Sequence, residues 1–186
     1  MRLVLIAIPL AIGLGYLLGG RLRNLGGIRL RHGWAGIAGV GFQFLPVEGA
    51  AGYAALLASF ALLVFVAWAN RRLPGFVLVL VGLCLNFVVI AVNQGMPVTR
   101  EAIVASGQAE TLDDFDGTAG TKHHLATPED DLLFLADRIG VPPPVAQAIS
   151  VGDIVAYVGA AWFVVAGMRR RDVDAEPNLR TAEASS

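Results

Sequence analysis

Two adjacent histidines, His123 and His124, and one carboxylate set in an apolar stretch, Asp153, are the residues of this chain best suited to proton chemistry. An imidazole and a carboxylate within hydrogen-bonding reach can act as base and acid, so Asp153 with His123 or His124 is the candidate catalytic set. Gln43, Asn86, Asn93 and Ser150 offer amide and hydroxyl groups that could line a polar pocket around Asp153. Asn86 and Asn93 are seven residues apart and share one face of a helix. The Ser150-x-x-Asp153 spacing also fits a capping box, in which Asp153 satisfies backbone N–H groups at a helix start and keeps lone pairs free for a ligand.

Other chemistry is poorly served. Adjacent histidines suit two partners better than one chelate, and the H-x-x-x-H spacing of a metal helix is absent. Asp113, Asp114 and Asp116 lack the distal glutamate of a calcium loop. Cys84 is the only cysteine, which excludes an internal disulfide or a multi-cysteine metal site. No nucleophile elbow, phosphate loop or dinucleotide fingerprint occurs. We therefore expect no resident metal or cofactor.

The elements that must position these groups are apolar. Of 186 residues, 55% are hydrophobic. The net charge is only -1, without the clustered basic face that nucleic acid requires. A hydrocarbon core of about 30 Å takes roughly 20 helical residues to cross. Residues 3–20, 49–70, 73–92 and 150–168 approach that length, and the glycine-rich 34–46 is a shorter candidate. If 34–46 crosses, Arg21, Arg23, Arg29 and Arg31 share a side with Arg71, Arg72 and Arg169 to Arg171. The positive-inside rule makes that side cytoplasmic, with the N-terminus and residues 93–149 outside a bacterial cytoplasmic membrane. The expected fold class is thus an all-α integral membrane bundle of about five transmembrane helices, residues 1–170, followed by a disordered cytoplasmic tail, 171–186. The first run reads as a span rather than a cleaved leader, because it is long for a signal and lacks a clear small-residue cleavage site.

Residues 93–149 carry nine of the acids against Arg100, Lys122 and Arg138. Thr127-Pro128-Glu129-Asp130 has the pattern of a helix start, predicting a helix to about Ile139, ended by Gly140 and Pro142-Pro143-Pro144. A shorter helix should follow Thr99, running to Ser106. Residues 107–120 have the composition of an exposed tip. Such a partly helical extracytoplasmic loop would cover the outer mouth of the bundle.

Four motifs carry a resemblance: Asn93-Gln94-Gly95-Met96-Pro97, Lys122-His123-His124-Leu125, Asp137-Arg138-Ile139 followed by Pro142 and Pro144, and Ser150-Val151-Gly152-Asp153. Together they resemble an uncharacterised family of small bacterial multi-pass membrane proteins, over Leu3 to about Met168. The resemblance implies a helical membrane protein and supplies no activity. The expected function is binding or scaffolding, with membrane lipids around the bundle and an envelope component or protein partner at an outward-facing polar pocket. The alternative is a small envelope enzyme acting on a lipid-linked or extracytoplasmic substrate through Asp153 and a histidine.

Overall fold

In the computed structural model, residues 3–47, 49–112 and 122–170 are described. The acidic tip at Asp113, Asp114 and Asp116 and the tail expected from Arg171 lie outside them. The chain is mostly helical. Three helices are long and apolar enough to cross a membrane: α3 (Gly49–Ala69), α4 (Phe76–Asn93) and α6 (Val151–Met168). Two are shorter, α1 (Val4–Leu17) and α2 (Gly33–Phe42). At 1.5 Å per residue, α2 is about 15 Å long, half of a hydrocarbon core.

Contacts at the helix ends show how the five run. Leu3 donates its N–H to Gln147, just before α6, and the Arg21 N–H reaches the Met168 carbonyl at 2.8 Å, so α1 and α6 run the same way. Asn24 donates to the carbonyls of Met168 and Arg170, and Asn70 exchanges hydrogen bonds with the Arg31 backbone. The arginine-bearing turns therefore meet at one end of the bundle, and the described residues of 93–149 form a cap at the other.

Small residues set the helix spacing. A Cβ at Gly82 would strike the Gly152 carbonyl oxygen, and one at Gly159 would lie 2.6 Å from the Gly75 carbonyl oxygen. These two glycine pairs seat α4 against α6 in antiparallel contact. Gly39 of α2 meets Ser59 and Leu63 of α3, and the Ser59 hydroxyl donates to the Gly39 carbonyl at 2.6 Å. Gly15 of α1 packs on Met168, whereas Gly19 adopts φ +78 in the turn that ends the helix.

The cap departs from the all-α expectation. Strand β1 (Met96–Val98) pairs in parallel with β2 (His123–Leu125), and β3 (Ile139–Val141) pairs antiparallel with β4 (Gln147–Ile149). Helix α5 (Arg100–Ala105) is capped by the Thr99 side chain, as its sequence predicts. The helix expected over 128–139 does not form. Asp130 folds back to accept from the Thr127 N–H at 2.7 Å, Leu132 takes φ +55, and only Leu133–Leu135 makes a single 3-10 turn. The competing interactions are tertiary. The Asp137 N–H donates to the Pro97 carbonyl and its own carbonyl accepts from Thr99, both at 3.0 Å. Leu132 and Leu135 also pack on the Leu56, Val89, Ile90 and Met96 core. A helix of a dozen residues has little intrinsic stability to set against these. Gly140, expected to stop that helix, lies within β3, where a Cβ would come 2.5 Å from the Ala102 carbonyl oxygen.

Candidate functional site

Where the cap meets the helices lies a cavity of about 400 Å³. Leu56, Phe60, Leu63 and Leu83 form apolar wall from α3 and α4, and Asn86, Asp153, Gln147 and Tyr157 stand on or beside the helix starts and ends. Lys122, His123 and Asp137 face it from the cap, and Gln43 from the end of α2.

The α4–α6 contact builds one wall. Ser150 is the N-cap of α6, its hydroxyl accepting from the Asp153 N–H at 3.0 Å while Asp153 Oδ2 accepts from the Ser150 N–H at 3.2 Å. This is the capping box that the spacing suggests. Asn86 then joins it: its Nδ2 donates to Asp153 Oδ1 at 2.7 Å, and its Oδ1 accepts from the Ser150 hydroxyl at 2.9 Å. Gly152 makes the approach possible, because a Cβ there would collide with the Asn86 carboxamide. Two buried polar side chains, Asn86 and Ser150, and the partly buried Asp153 thus satisfy one another, as a low-dielectric site demands.

The other proposed pocket members divide. Gln43 lines the cavity, donates to the Ser59 hydroxyl at 3.0 Å, and offers its backbone carbonyl to the Lys122 ammonium. Asn93 works elsewhere: it donates to the Val89 and Asp131 carbonyls and accepts from the Asp131 N–H at 2.7 Å, tying the end of α4 to the cap. Ser150 is fully buried behind Asn86. The histidines separate because successive residues of β2 face opposite ways. His124 meets Asp130 at 2.8 Å, away from the cavity, and His123 fronts it. Burial opposes ionisation of Asp130, but the Thr127 N–H and His124 hold its carboxyl below the usual range.

Asp137 is the residue that sequence reasoning missed. Its backbone is held by Pro97 of β1 and by Thr99, its side chain is only 6% exposed, and its Oδ1 has no hydrogen-bond partner among the described residues. Its Oδ2 lies 3.9 Å from His123 Nε2, beyond a hydrogen bond. Burial, reinforced by the charge of Asp153, pushes the Asp137 carboxyl up to about 8. His123 lines the cavity with half of its side-chain surface, 52%, accessible. Desolvation there, with the Lys122 charge beside it, lowers the imidazole to about 4. At neutral pH the cavity therefore presents a protonated acid beside a neutral imidazole. In the sequence Asp137 opens one of the four motifs of the resemblance, which gives it no role, and it otherwise reads as one more acid on the polar side of an apparent amphipathic helix. Tyr157 was legible in principle, one helical turn beyond Asp153 and on its face.

These shifts give a pH test. Between its unfolded value of 3.8 and about 8, folded Asp137 keeps a proton that the unfolded chain has lost, so its contribution to stability is present at low pH and disappears as pH rises through 8. His123 acts oppositely between about 4 and 6.5, the unfolded chain holding the extra proton, and stability gains as pH rises there. Above pH 6.5 only the Asp137 effect remains. From pH 6.5 to 8 the wild type should lose about 2 kcal/mol relative to Asp137→Asn. Melting curves of both proteins in detergent across this interval measure it, and parallel curves would refute the assignment.

Among the described residues no group of three or more histidine, cysteine or acidic side chains is arranged to hold a metal ion. Comparison with known proteins agrees with the motifs. A model described as a family of unknown function, DUF5317, matches residues 40–165, which contain every motif of the resemblance. An uncharacterized protein of Thermotoga maritima is 38% identical over 108 residues, covering 56% of this chain and 58% of that protein. The match thus spans little more than half of the relative's length. No solved structure matches the chain. On the extent of the family match, the chain belongs to the DUF5317 family of unknown function.

Proposed function

We propose that this is a bacterial cytoplasmic membrane protein whose five helices all cross, with the N-terminus and cap outside, and that its cavity binds an amphiphilic envelope component. The topology draws support from the arginine turns gathered at one end of the bundle, which the positive-inside rule assigns to the cytoplasm. The shorter α1 and α2 would cross with the help of the turns that follow them and of tilt and local bilayer thinning.

One observation carries the binding reading. The cavity is lined both by apolar side chains of α3 and α4, Leu56, Phe60, Leu63 and Leu83, and by the polar side chains of Asp137, Asp153, Asn86 and Gln43. A pocket that offers both kinds of surface suits a molecule with an acyl or prenyl chain and a polar head, presented at the membrane boundary. The enzymatic alternative has less behind it. His124 is engaged by Asp130, and both Asp153 oxygens already accept hydrogen bonds.

Filling the cavity from its apolar wall tests the proposal. Native mass spectrometry of the gently purified protein should detect a bound small amphiphile on the wild type. On Leu83→Trp its occupancy should fall at least about tenfold, since a pocket that loses its volume loses the burial that drives binding. Equal occupancy in both proteins, or none in the wild type, would count against a binding cavity.

A further inference from the structure

We propose that the head group taken by this cavity is a primary ammonium, seated on the Asp137 carboxylate. The inference rests on the binding reading above and names its ligand class.

Asp137 Oδ1 is buried and unpartnered among the described residues, and the backbone is held in place, its N–H bonded to Pro97 of β1 and its carbonyl to Thr99 at the start of α5. Buried polar oxygens are nearly always satisfied, so an orphan aimed into a cavity marks where a donor is missing. His123, at 3.9 Å from Oδ2, does not supply one. The missing donor must come from what occupies the cavity.

Charge selects its kind. The titratable and charged groups that line the cavity with Asp137 are Asp153 and Tyr157 from α6, His123 from β2 and Lys122 just before it, while β1 and α5 present only Met96, Val98 and Ile103. Among the described lining residues Lys122 is the one cation beside two carboxyls, and its ammonium is turned to the Gln43 carbonyl. An anionic head would meet the oxygens of both carboxyls, and a neutral hydroxyl would bond to the Asp137 acid without stabilising its ionised form. A primary ammonium supplies the donor and stabilises the carboxylate, giving a charge-assisted hydrogen bond to Oδ1. Its chain would lie along Leu56, Phe60 and Leu83. Because burial keeps Asp137 protonated before binding, the exchange is balanced by one proton: the carboxylic acid and R–NH₃⁺ give the carboxylate–ammonium pair and release H⁺ to solvent.

The test uses the full chain in nanodiscs of zwitterionic lipid at pH 7, with dodecylamine, dodecyltrimethylammonium and dodecanol as probes and empty nanodiscs as the control. Dodecylamine should raise the melting temperature by about 5 °C or more near saturation and release close to one proton per molecule bound. The trimethylammonium probe, with charge but no N–H, and the alcohol, with a donor but no charge, should bind at least about tenfold more weakly. Asp137→Asn should weaken dodecylamine binding by the same order and abolish proton release. The proton measurement on wild type needs no variant, so it decides the matter even if Asp137→Asn folds poorly. Equal binding of all three probes with no proton released would overturn the ammonium assignment but not the cavity, provided that Leu83→Trp abolishes their binding. No shift with any probe would overturn both.

Discussion

Gly152→Ala should be among the most damaging single-methyl changes in the helical bundle, destabilising it by about 3 kcal/mol or more. The added Cβ would occupy the position of the Asn86 carboxamide and lie 2.9 Å from the Gly82 carbonyl oxygen. Neither neighbour can yield cheaply. Asn86 is held from two sides by Ser150 and Asp153, and the Gly82 oxygen belongs to helix backbone. Relief requires α4 and α6 to separate, which also opens the Gly75–Gly159 contact two turns away. Thermal melts in detergent should show a drop of about 6 °C or more, using the scaling for a chain of this size. Gly13→Ala is the control: a Cβ there meets nothing within 4 Å, and its melt should match wild type or exceed it. If Gly152→Ala melts with wild type, the close approach of the two helices is not the seat of the bundle's stability.

Asn86→Leu should cost about 2–3 kcal/mol, for a different reason. The volume is nearly kept, but Asp153 Oδ1 loses its donor and the buried Ser150 hydroxyl loses its acceptor. Interhelical hydrogen bonds in membranes average only about 0.6 kcal/mol, so most of the effect comes from the groups left unpaired rather than from the bonds removed. That distinction is measurable. Pairing Asn86→Leu with Asp153→Leu removes the stranded carboxyl together with its donor, and should recover part of the loss. Strictly additive damage in this double-mutant cycle would mean that the two side chains are not coupled. The same variant bears on binding, since Asn86 and Asp153 both line the cavity.

Much of this molecule can be read along the chain. Long apolar runs bounded by arginines predict α3, α4 and α6, because helix formation in an apolar stretch depends on local periodicity and length. Thr99 capping α5 and the Ser150–Asp153 box are contacts three residues apart, so their residue types announce them. The depth of Asn86 and Asp153 follows from counting rise per residue, and the two do meet. Asn93, one face and seven residues further on, is carried about 10 Å beyond them, to the cap.

The cap is where that logic stops. Thr127-Pro128-Glu129-Asp130 carries helix-start signals, yet its downstream residues are drawn into pairing with β1, about forty residues earlier in the chain, and with the nearby β4. Which of the two adjacent histidines faces the cavity depends on strand register, and register comes from β1. Asp137 shares its residue type with its neighbours in the loop, and only burial against β1 and α6 makes it an unpaired, protonated acid. Residue type, spacing and apolar length were enough to predict the three long apolar helices, the caps of α5 and α6 and a family of unknown function, since those rest on interactions within a turn or on transfer of a side chain from water. The identity of the cavity's central group was decided by long-range pairing, because desolvation and a missing hydrogen-bond partner are properties of the surroundings and not of the residue.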